Sequence, residues 1–203
     1  METKQQNSDS FDENQSLKVI KEMIQVSQKK LKNDGILFIL WGWIMFYGGI
    51  KGFIVREFIM TYQFQRLLDN SGTILGLFVL VYTIFYLWKQ HKKVQTYIGI
   101  SLRYVWFAMF GCFVLINLIQ ANVVHKINFE LQHPIFMVII AYATVITGGI
   151  LRYKLVIIGG IVFGVIALLS SYLPLSYQLL LESIAWLIAF IVPGHYLYAK
   201  RKS

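Results

Sequence analysis

Long runs of apolar residues, separated by short charged segments, dominate this sequence. The hydrocarbon core of a bilayer is about 30 Å thick, and a helix needs about 20 apolar residues to cross it. The first run, "GILFILWGWIMFYGGIKG", begins at Gly35 and carries no charge until Lys51. The last apolar stretch, residues 155–199, contains one acidic or basic side chain, Glu182, and is long enough for two spans separated at Pro174. The pattern predicts an all-α polytopic membrane helix bundle.

Charged residues set the bounds of six predicted transmembrane helices. The chain is 57% hydrophobic and only 14% charged, against about 25% charged residues in an average soluble domain. A soluble fold of this length still exposes about a third of the surface of its unfolded chain, so it cannot hide this much apolar surface. Residues 56–72 are amphipathic and are predicted as an interfacial helix or a splayed end of the first span. The predicted spans are residues 35–55, 72–88, 104–124, 134–151, 155–173 and 177–199.

Lysine and arginine are distributed unevenly between the two sides of the predicted bundle. With the N-terminus inside, the inner segments hold 15 of these residues, including a basic tail at 200–203, and the outer segments hold 4. Because inner loops of membrane proteins are enriched in Lys and Arg, we expect both termini to be cytoplasmic. We expect a multi-pass protein of the bacterial inner (cytoplasmic) membrane. This placement accounts for the net charge of +9 without a nucleic-acid partner.

The N-terminal region is predicted to lie outside the membrane. Residues 1–15 are polar and predicted as disordered, with no cleaved signal peptide, and residues 16–34 are predicted as a cytoplasmic basic amphipathic helix. Turn-forming residues at 33–35, "NDG", predict a break or kink before the first span. The helix suits three partners: anionic lipid headgroups, the inner face of the bundle, or another protein. The lysines of this candidate lipid or partner surface are Lys18, Lys21, Lys29, Lys30 and Lys32.

Small residues recur at helical spacing within the predicted spans. Glycines on one stripe let two membrane helices approach closely. The first span is therefore better explained as a packing face than as an aromatic ligand box formed by Trp41 and Trp43. The same stripes are compatible with a homo-oligomer. The predicted helix-packing seam consists of Gly35, Gly42, Gly49, Gly160 and Gly164.

Glu182 is the acidic residue that lies within a predicted span. An ionisable group in the membrane is energetically costly and is a functional candidate for that reason. Glu182 shares a helix face with Gln178, and Asn117 and Gln120 share a face of the third predicted span. We expect the two faces to meet in a candidate polar pocket in the outer half of the bundle. The alternative is that Glu182 is neutral or hydrogen-bonded and only fixes the register of its helix.

Motifs of known catalytic sites are not found in the sequence. It contains no nucleophile elbow, no His-Glu-x-x-His, no P-loop and no dinucleotide fingerprint. His125 and His133 flank an outer loop but are eight residues apart, not the three or four that place two ligands on one helix face, so we expect neither metal nor cofactor. We expect a non-enzymatic protein with a structural, sensory or accessory role. The alternative is a small-molecule or ion transporter or channel that uses the pocket around Glu182.

The run "LKVIKEMIQVSQKKLKNDGILFILWGW", residues 17–43, resembles the start of a group of uncharacterised multi-span inner-membrane proteins of Bacteroidetes-type bacteria. The shared features are an amphipathic lead, a polar-glycine break and an aromatic "LWGW" early in the first span. The resemblance covers about a seventh of the chain. It implies an inner-membrane location, and it implies no activity and no site residues.

Overall fold

The structure, a computed structural model, describes residues 3–59, 61–91 and 97–199. Within these ranges the chain is helical and has no strand, which confirms the predicted all-α class. A π-helical segment, Leu187–Ile191, joins the last two helices. The α-helices in chain order are α1 Thr3–Glu57, α2 Tyr62–His91, α3 Tyr97–Val123, α4 Phe129–Ile150, α5 Lys154–Ser170, α6 Leu175–Trp186 and α7 Val192–Ala199.

Five helical stretches are long and apolar enough to cross a membrane. They identify the chain as a multi-pass membrane protein. The remaining apolar helix, α5, has 17 residues and is therefore about 26 Å long, slightly short of the expected bilayer core. Length and composition therefore support five of the six predicted spans. The five stretches are Ile36–Glu57, Tyr62–Tyr86, Ile98–Val123, Phe129–Ile150 and Leu175–Ala199.

Helix α1 is continuous from Thr3 to Glu57, which differs from two expectations. The break expected at residues 33–35 is absent, because a single glycine inside a helix costs only about 1 kcal/mol relative to alanine. Residues 3–15, predicted as disordered, form the first turns of α1, and this stretch contains neither proline nor glycine to interrupt a helix. The described side chains of residues 15–22 are all exposed.

The connection between α1 and α2 is also shorter than expected. Residues 62–72 are neither an interfacial helix nor an extension of the first span, because they form the first turns of α2. Side chains of α1 hold these turns in place. The Tyr47 hydroxyl lies 2.6 Å from the Ser71 hydroxyl, and the Lys51 ammonium group pairs with Asp69 at 2.9 Å.

Close approach of α1 and α6 forms one half of the bundle core. A Cβ atom at Gly42 would lie 2.8 Å from the Ile191 side chain, and one at Gly49 would lie 2.6 Å from the Leu179 carbonyl oxygen. α6, the π-helical segment and α7 together form the C-terminal helix. It is antiparallel to α1, because increasing residue numbers in α1 meet decreasing numbers in the C-terminal helix. Phe38 of α1 stacks on Phe190 at 5.4 Å. The glycines remove the side-chain bulk that would otherwise hold these helices apart.

An antiparallel hairpin of α4 and α5 forms the other half of the core. A Cβ atom at Gly160 would lie 2.9 Å from the backbone nitrogen of Val145, whereas one at Gly164 would be in ordinary contact with Ala141 at 3.5 Å. At the far end of α5, the Ser170 hydroxyl lies 3.6 Å from the Met137 sulfur. Helix α5 and the turn that follows it therefore run along nearly the whole length of α4.

The two halves meet around the π-helical segment of the C-terminal helix. Val192 donates its backbone N–H to the Leu187 carbonyl, five residues back. The wider turn lies directly before Pro193, which has no N–H to donate and which disturbs regular helix. Phe190 and Trp186 pack against Phe163 of α5 here, with ring centroids 6.5 and 5.4 Å from that of Phe163. Helix α2 packs outside this core on α1, whereas α3 packs on α4 and contributes the buried Met109 to the core.

We expect Gly49→Ala to destabilise the bundle by about 1–3 kcal/mol, the usual cost of an overpacked contact. The added Cβ would meet the Leu179 carbonyl and, more closely still, the Ser183 hydroxyl. Unfolding of the purified protein in detergent, followed by circular dichroism, measures the effect.

Gly48→Ala is the matched control, because nothing lies within 4 Å of a Cβ at this neighbouring position. We expect it to be neutral or to stabilise the protein by up to about 1 kcal/mol through higher helix propensity. Equal losses in the two variants would contradict the close approach of α1 and α6.

Candidate functional site

Glu182 lies in the second turn of α6, about 10 Å along the helix from its first residue, Leu175. Both carboxylate oxygens have partners. Oε1 accepts a hydrogen bond from the indole N–H of Trp186 at 3.0 Å. Oε2 lies 3.1 Å from Nε2 of His133, which is within ion-pair distance but without hydrogen-bond geometry. The Glu182 and His133 side chains are only 16% and 19% exposed. These two contacts offset the cost of placing a carboxylate in an apolar bundle.

The start of α4 places His133 beside Glu182. Asn128 caps this helix, because its side-chain oxygen accepts hydrogen bonds from the backbone N–H groups of Glu130 and Leu131 at 3.1 and 3.3 Å. His133 follows in the second turn and faces α6. By sequence, His133 is predicted only at the edge of a loop. It lies about 6 Å along α4 from Phe129, a smaller depth than that of Glu182 in α6, so position along the helix does not pair the two residues.

Gln178 links the first turn of α6 to the start of α4 by a hydrogen bond. Its side-chain N–H group donates to the carbonyl oxygens of Glu130 and Leu173 at 3.1 and 2.9 Å. Its side-chain oxygen is buried and has no hydrogen-bond partner among the described residues. Gln178 therefore holds the α4 and α6 ends together, and it makes no direct contact with the Glu182 carboxylate.

Asn117 and Gln120 of α3 bind a different face of α4. Asn117 accepts a 2.7 Å hydrogen bond from the side chain of Gln132, and its own amide donates to the Phe113 carbonyl at 2.8 Å. The Gln120 side chain accepts a hydrogen bond from the backbone N–H of Asn128 at 2.9 Å. These contacts order the loop between α3 and α4.

The four predicted pocket residues therefore form two sets, and α4 lies between them. Gln132 of α4 binds Asn117 of α3, whereas its neighbour His133 binds Glu182 of α6. Consecutive helical residues point about 100° apart, so one turn of α4 contacts both sides. The two polar faces, which were expected to meet in one pocket, do not meet directly.

A cleft of about 260 Å³ opens where α1 ends and α4 and α6 begin. Glu182 does not line it, but His133 does, and the cleft therefore adjoins the His133–Glu182 pair. Its polar lining residues are Arg56, Gln132 and His133, and its apolar ones are Phe129, Phe136, Leu175 and Leu179.

The remaining candidate residues lie elsewhere. Lys18 and Lys21 are exposed on α1. The side chains of Lys29, Lys30 and Lys32, the surroundings of Gly35 and the tail at 200–203 lie outside the part of the chain that the structure describes. Across the described ranges, no group of three or more His, Cys, Asp or Glu side chains is placed to hold a metal ion.

Comparisons of the chain with protein-family models, with curated proteins and with solved structures find no match. Function is therefore inferred from the residues of the chain itself. These residues offer a paired carboxylate and imidazole, an adjoining cleft with an arginine at its edge, and an exposed helix at the opposite end of α1.

We expect His133 and Glu182 to be energetically coupled. Single replacements, His133→Ala and Glu182→Ala, each leave a half-buried polar group without its partner, so their effects on the free energy of unfolding should not add. A double-mutant cycle in detergent should give a coupling energy of about 0.5–3 kcal/mol.

The cycle is repeated with Glu22→Ala in place of Glu182→Ala. Glu22 is an exposed carboxylate on α1, and its coupling to His133 should fall within about 0.5 kcal/mol of zero. A zero coupling for the Glu182 pair as well would mean that the contact contributes nothing to stability.

Proposed function

We propose that this chain is a non-enzymatic multi-pass membrane protein with an accessory or sensory role, and that the N-terminal part of α1 contacts a protein partner. The observation that carries this proposal is the continuity of α1. One helix joins a span that is packed inside the bundle to an exposed segment beyond it. The bundle then anchors and orients the helix that the partner recognises.

The exposed part of α1 carries apolar side chains that the bundle does not cover. Leu17 is 63% exposed and Ile20 is 51% exposed, and they lie three residues apart on one face. By sequence, Ile24 and Leu31 continue the same stripe. Such a stripe on a helix outside the membrane fits a groove or helix of another protein, which would remove it from water.

The charges around this stripe favour an acidic partner. Lys18 and Lys21 are exposed next to it, and Lys29, Lys30 and Lys32 belong to the same basic segment by sequence. Anionic lipid offers the same charge complementarity. A helix that continues the axis of its span leaves the membrane, however, whereas lipid binding along its length needs a helix that lies flat on the surface. The continuity of α1 thus supports a protein partner over a lipid surface.

We propose six spans, with both termini on the cytoplasmic side of a bacterial inner membrane. Two observations support the sixth span. Helix α5 runs antiparallel along nearly the full length of α4. The α1 and α6 spans are also antiparallel, which places the two ends of the bundle on the same side and requires an even number of spans. The excess of Lys and Arg in the segments assigned to the inside supports the orientation.

A second candidate function, transport of a small molecule or ion, is supported by the cleft beside His133 and Glu182. Below the pair, the bundle is closed in this conformation. Ala185, one turn beyond Glu182, is 0% exposed, and Phe163 and Trp186 fill the space around it. Transport would therefore need a second conformation that admits water past Glu182.

Charge reversal tests the proposed partner surface. The variant with Lys29→Glu, Lys30→Glu and Lys32→Glu should lose its association with the partner because the surfaces then repel each other. The full-length protein is crosslinked in its native membrane, solubilised and sized, and the variant should lack the larger species that the parent protein forms.

A control variant carries Arg66→Glu and Lys126→Glu, which reverse charges at the other end of the bundle. It should keep the larger species. Loss in both variants would indicate a general charge effect, and retention in the triple variant would contradict the proposed surface. Circular dichroism verifies that each bundle is folded.

Cysteine labelling tests the orientation and the second candidate in one assay. In a Cys112→Ala background, we expect a membrane-impermeant maleimide to label Lys126→Cys in intact cells, with the outer membrane permeabilised if there is one. Ser16→Cys and Ala199→Cys should be labelled only after the inner membrane is opened.

Labelling of Ala199→Cys from outside would show an odd number of spans and exclude α5 as a span. In the same assay, Ala185→Cys should stay unlabelled if the bundle is closed. Its labelling from outside would reveal an aqueous path past Glu182 and would favour the transporter.

A further inference from the structure

The cleft at the Arg56 end of α1 is separate from the surface that we propose for the protein partner. It lies at the opposite end of α1 from the exposed stripe, at the meeting point of three helix ends. Its lining combines one arginine and one histidine with aromatic and leucine side chains. These features together specify the kind of ligand that fits.

The Arg56 guanidinium supplies the permanent charge among the residues that line the cleft. It has no hydrogen-bond or ion-pair partner among the residues that the structure describes. Glu182 contacts His133, and Glu57 and Glu130 each follow a lining residue in sequence, but none of these three carboxylates lines the cleft. The guanidinium is therefore available to bind an anionic group.

The start of α6 adds to this positive potential. Leu175, its first residue, lines the cleft. The N-cap position is occupied by Pro174, whose side chain accepts no hydrogen bond from the first turn. An uncapped helix N-terminus carries a partial positive charge and free backbone N–H groups, and it favours a nearby anion.

The apolar walls limit the rest of the ligand. Phe129, Phe136 and Leu179 supply them. The cleft volume of about 260 Å³ is below the roughly 300–1,000 Å³ of pockets for drug-sized molecules. A small molecule with a short apolar part fits this space.

We infer that the cleft binds a small organic anion, with a carboxylate or phosphate group at Arg56 and an apolar part against Phe129 and Phe136. Two sources can supply this chemistry. One is a water-soluble carboxylate, and the other is the headgroup region of an anionic lipid that enters from the bilayer. The inference deepens the second candidate function by naming its ligand class, and it does not depend on the N-terminal helix.

Binding is measured on the full-length protein in nanodiscs that contain only phosphatidylcholine. Hexanoate serves as the soluble probe, and the readout is its concentration-dependent effect on the thermal midpoint. We expect a saturable increase in Tm. Arg56→Gln should weaken the apparent affinity by roughly tenfold or more, because it removes a charge-assisted hydrogen bond. Arg66→Gln, a matched loss of an exposed arginine from α2, should change the affinity less than about twofold.

Native mass spectrometry distinguishes the two sources. The protein is released from nanodiscs that contain both phosphatidylglycerol and phosphatidylcholine. A lipid source predicts that one phosphatidylglycerol stays bound to the parent protein and to Arg66→Gln, is lost from Arg56→Gln, and is displaced by hexanoate. A soluble source predicts hexanoate binding in phosphatidylcholine nanodiscs with no phosphatidylglycerol retained.

Leu175→Trp provides a second test that leaves every charge in place. The larger side chain should fill the cleft and abolish binding of the probe. Three results would overturn the inference: no binding of either probe, equal weakening by Arg56→Gln and Arg66→Gln, or full binding by Leu175→Trp. None of these measurements involves transport or the partner of α1, so either proposed function can fail while anion binding is retained.

Discussion

The close packing of α1 against the C-terminal helix determines the arrangement of the end of the bundle where Arg56 and Glu182 lie. Gly42 and Gly49 bring the two backbones together, and the antiparallel register that results places residue 52 beside Leu179. One turn further on, Arg56 reaches the first residues of α6. A larger side chain at either glycine would separate the helices, and the cleft at Arg56 would lose one wall. The geometry of the cleft therefore depends on this helix packing, which includes contacts of the lining residue Leu179.

Helix α4 divides the polar layer at this end into two parts with different roles. On one side, Gln132 and Asn128 hold α3 and the loop before α4 through hydrogen bonds. On the other side, His133 meets Glu182 next to the cleft. The first set ties α3 to α4, and the second ties α4 to α6. Gln132 and His133, one from each set, both line the cleft. The start of α4 therefore joins three helices and also forms part of the cleft wall.

The sequence was sufficient to predict the class of the fold, because apolar run length and charge position depend on local composition. It was not sufficient to predict neighbours. Glu182 was a candidate from its own position, but its partner His133 depends on which face of α4 meets α6, and no local pattern encodes that contact. The turn signal at 33–35 failed because helix propensity on both sides outweighed one glycine. The start of α2 was missed because tertiary contacts from Tyr47 and Lys51 stabilise polar turns.

Because α1 is one continuous helix, a tilt of its span also displaces its N-terminal part. Leu17 lies about 29 residues before the middle of the α1 span, or about 44 Å along the helix axis, so a tilt of about 10° in the span displaces Leu17 by about 8 Å. Arg56 is on the same continuous helix, on the other side of that pivot. A small change in how the Arg56 end packs is therefore magnified at the far tip without any helix having to unfold or any domain having to move.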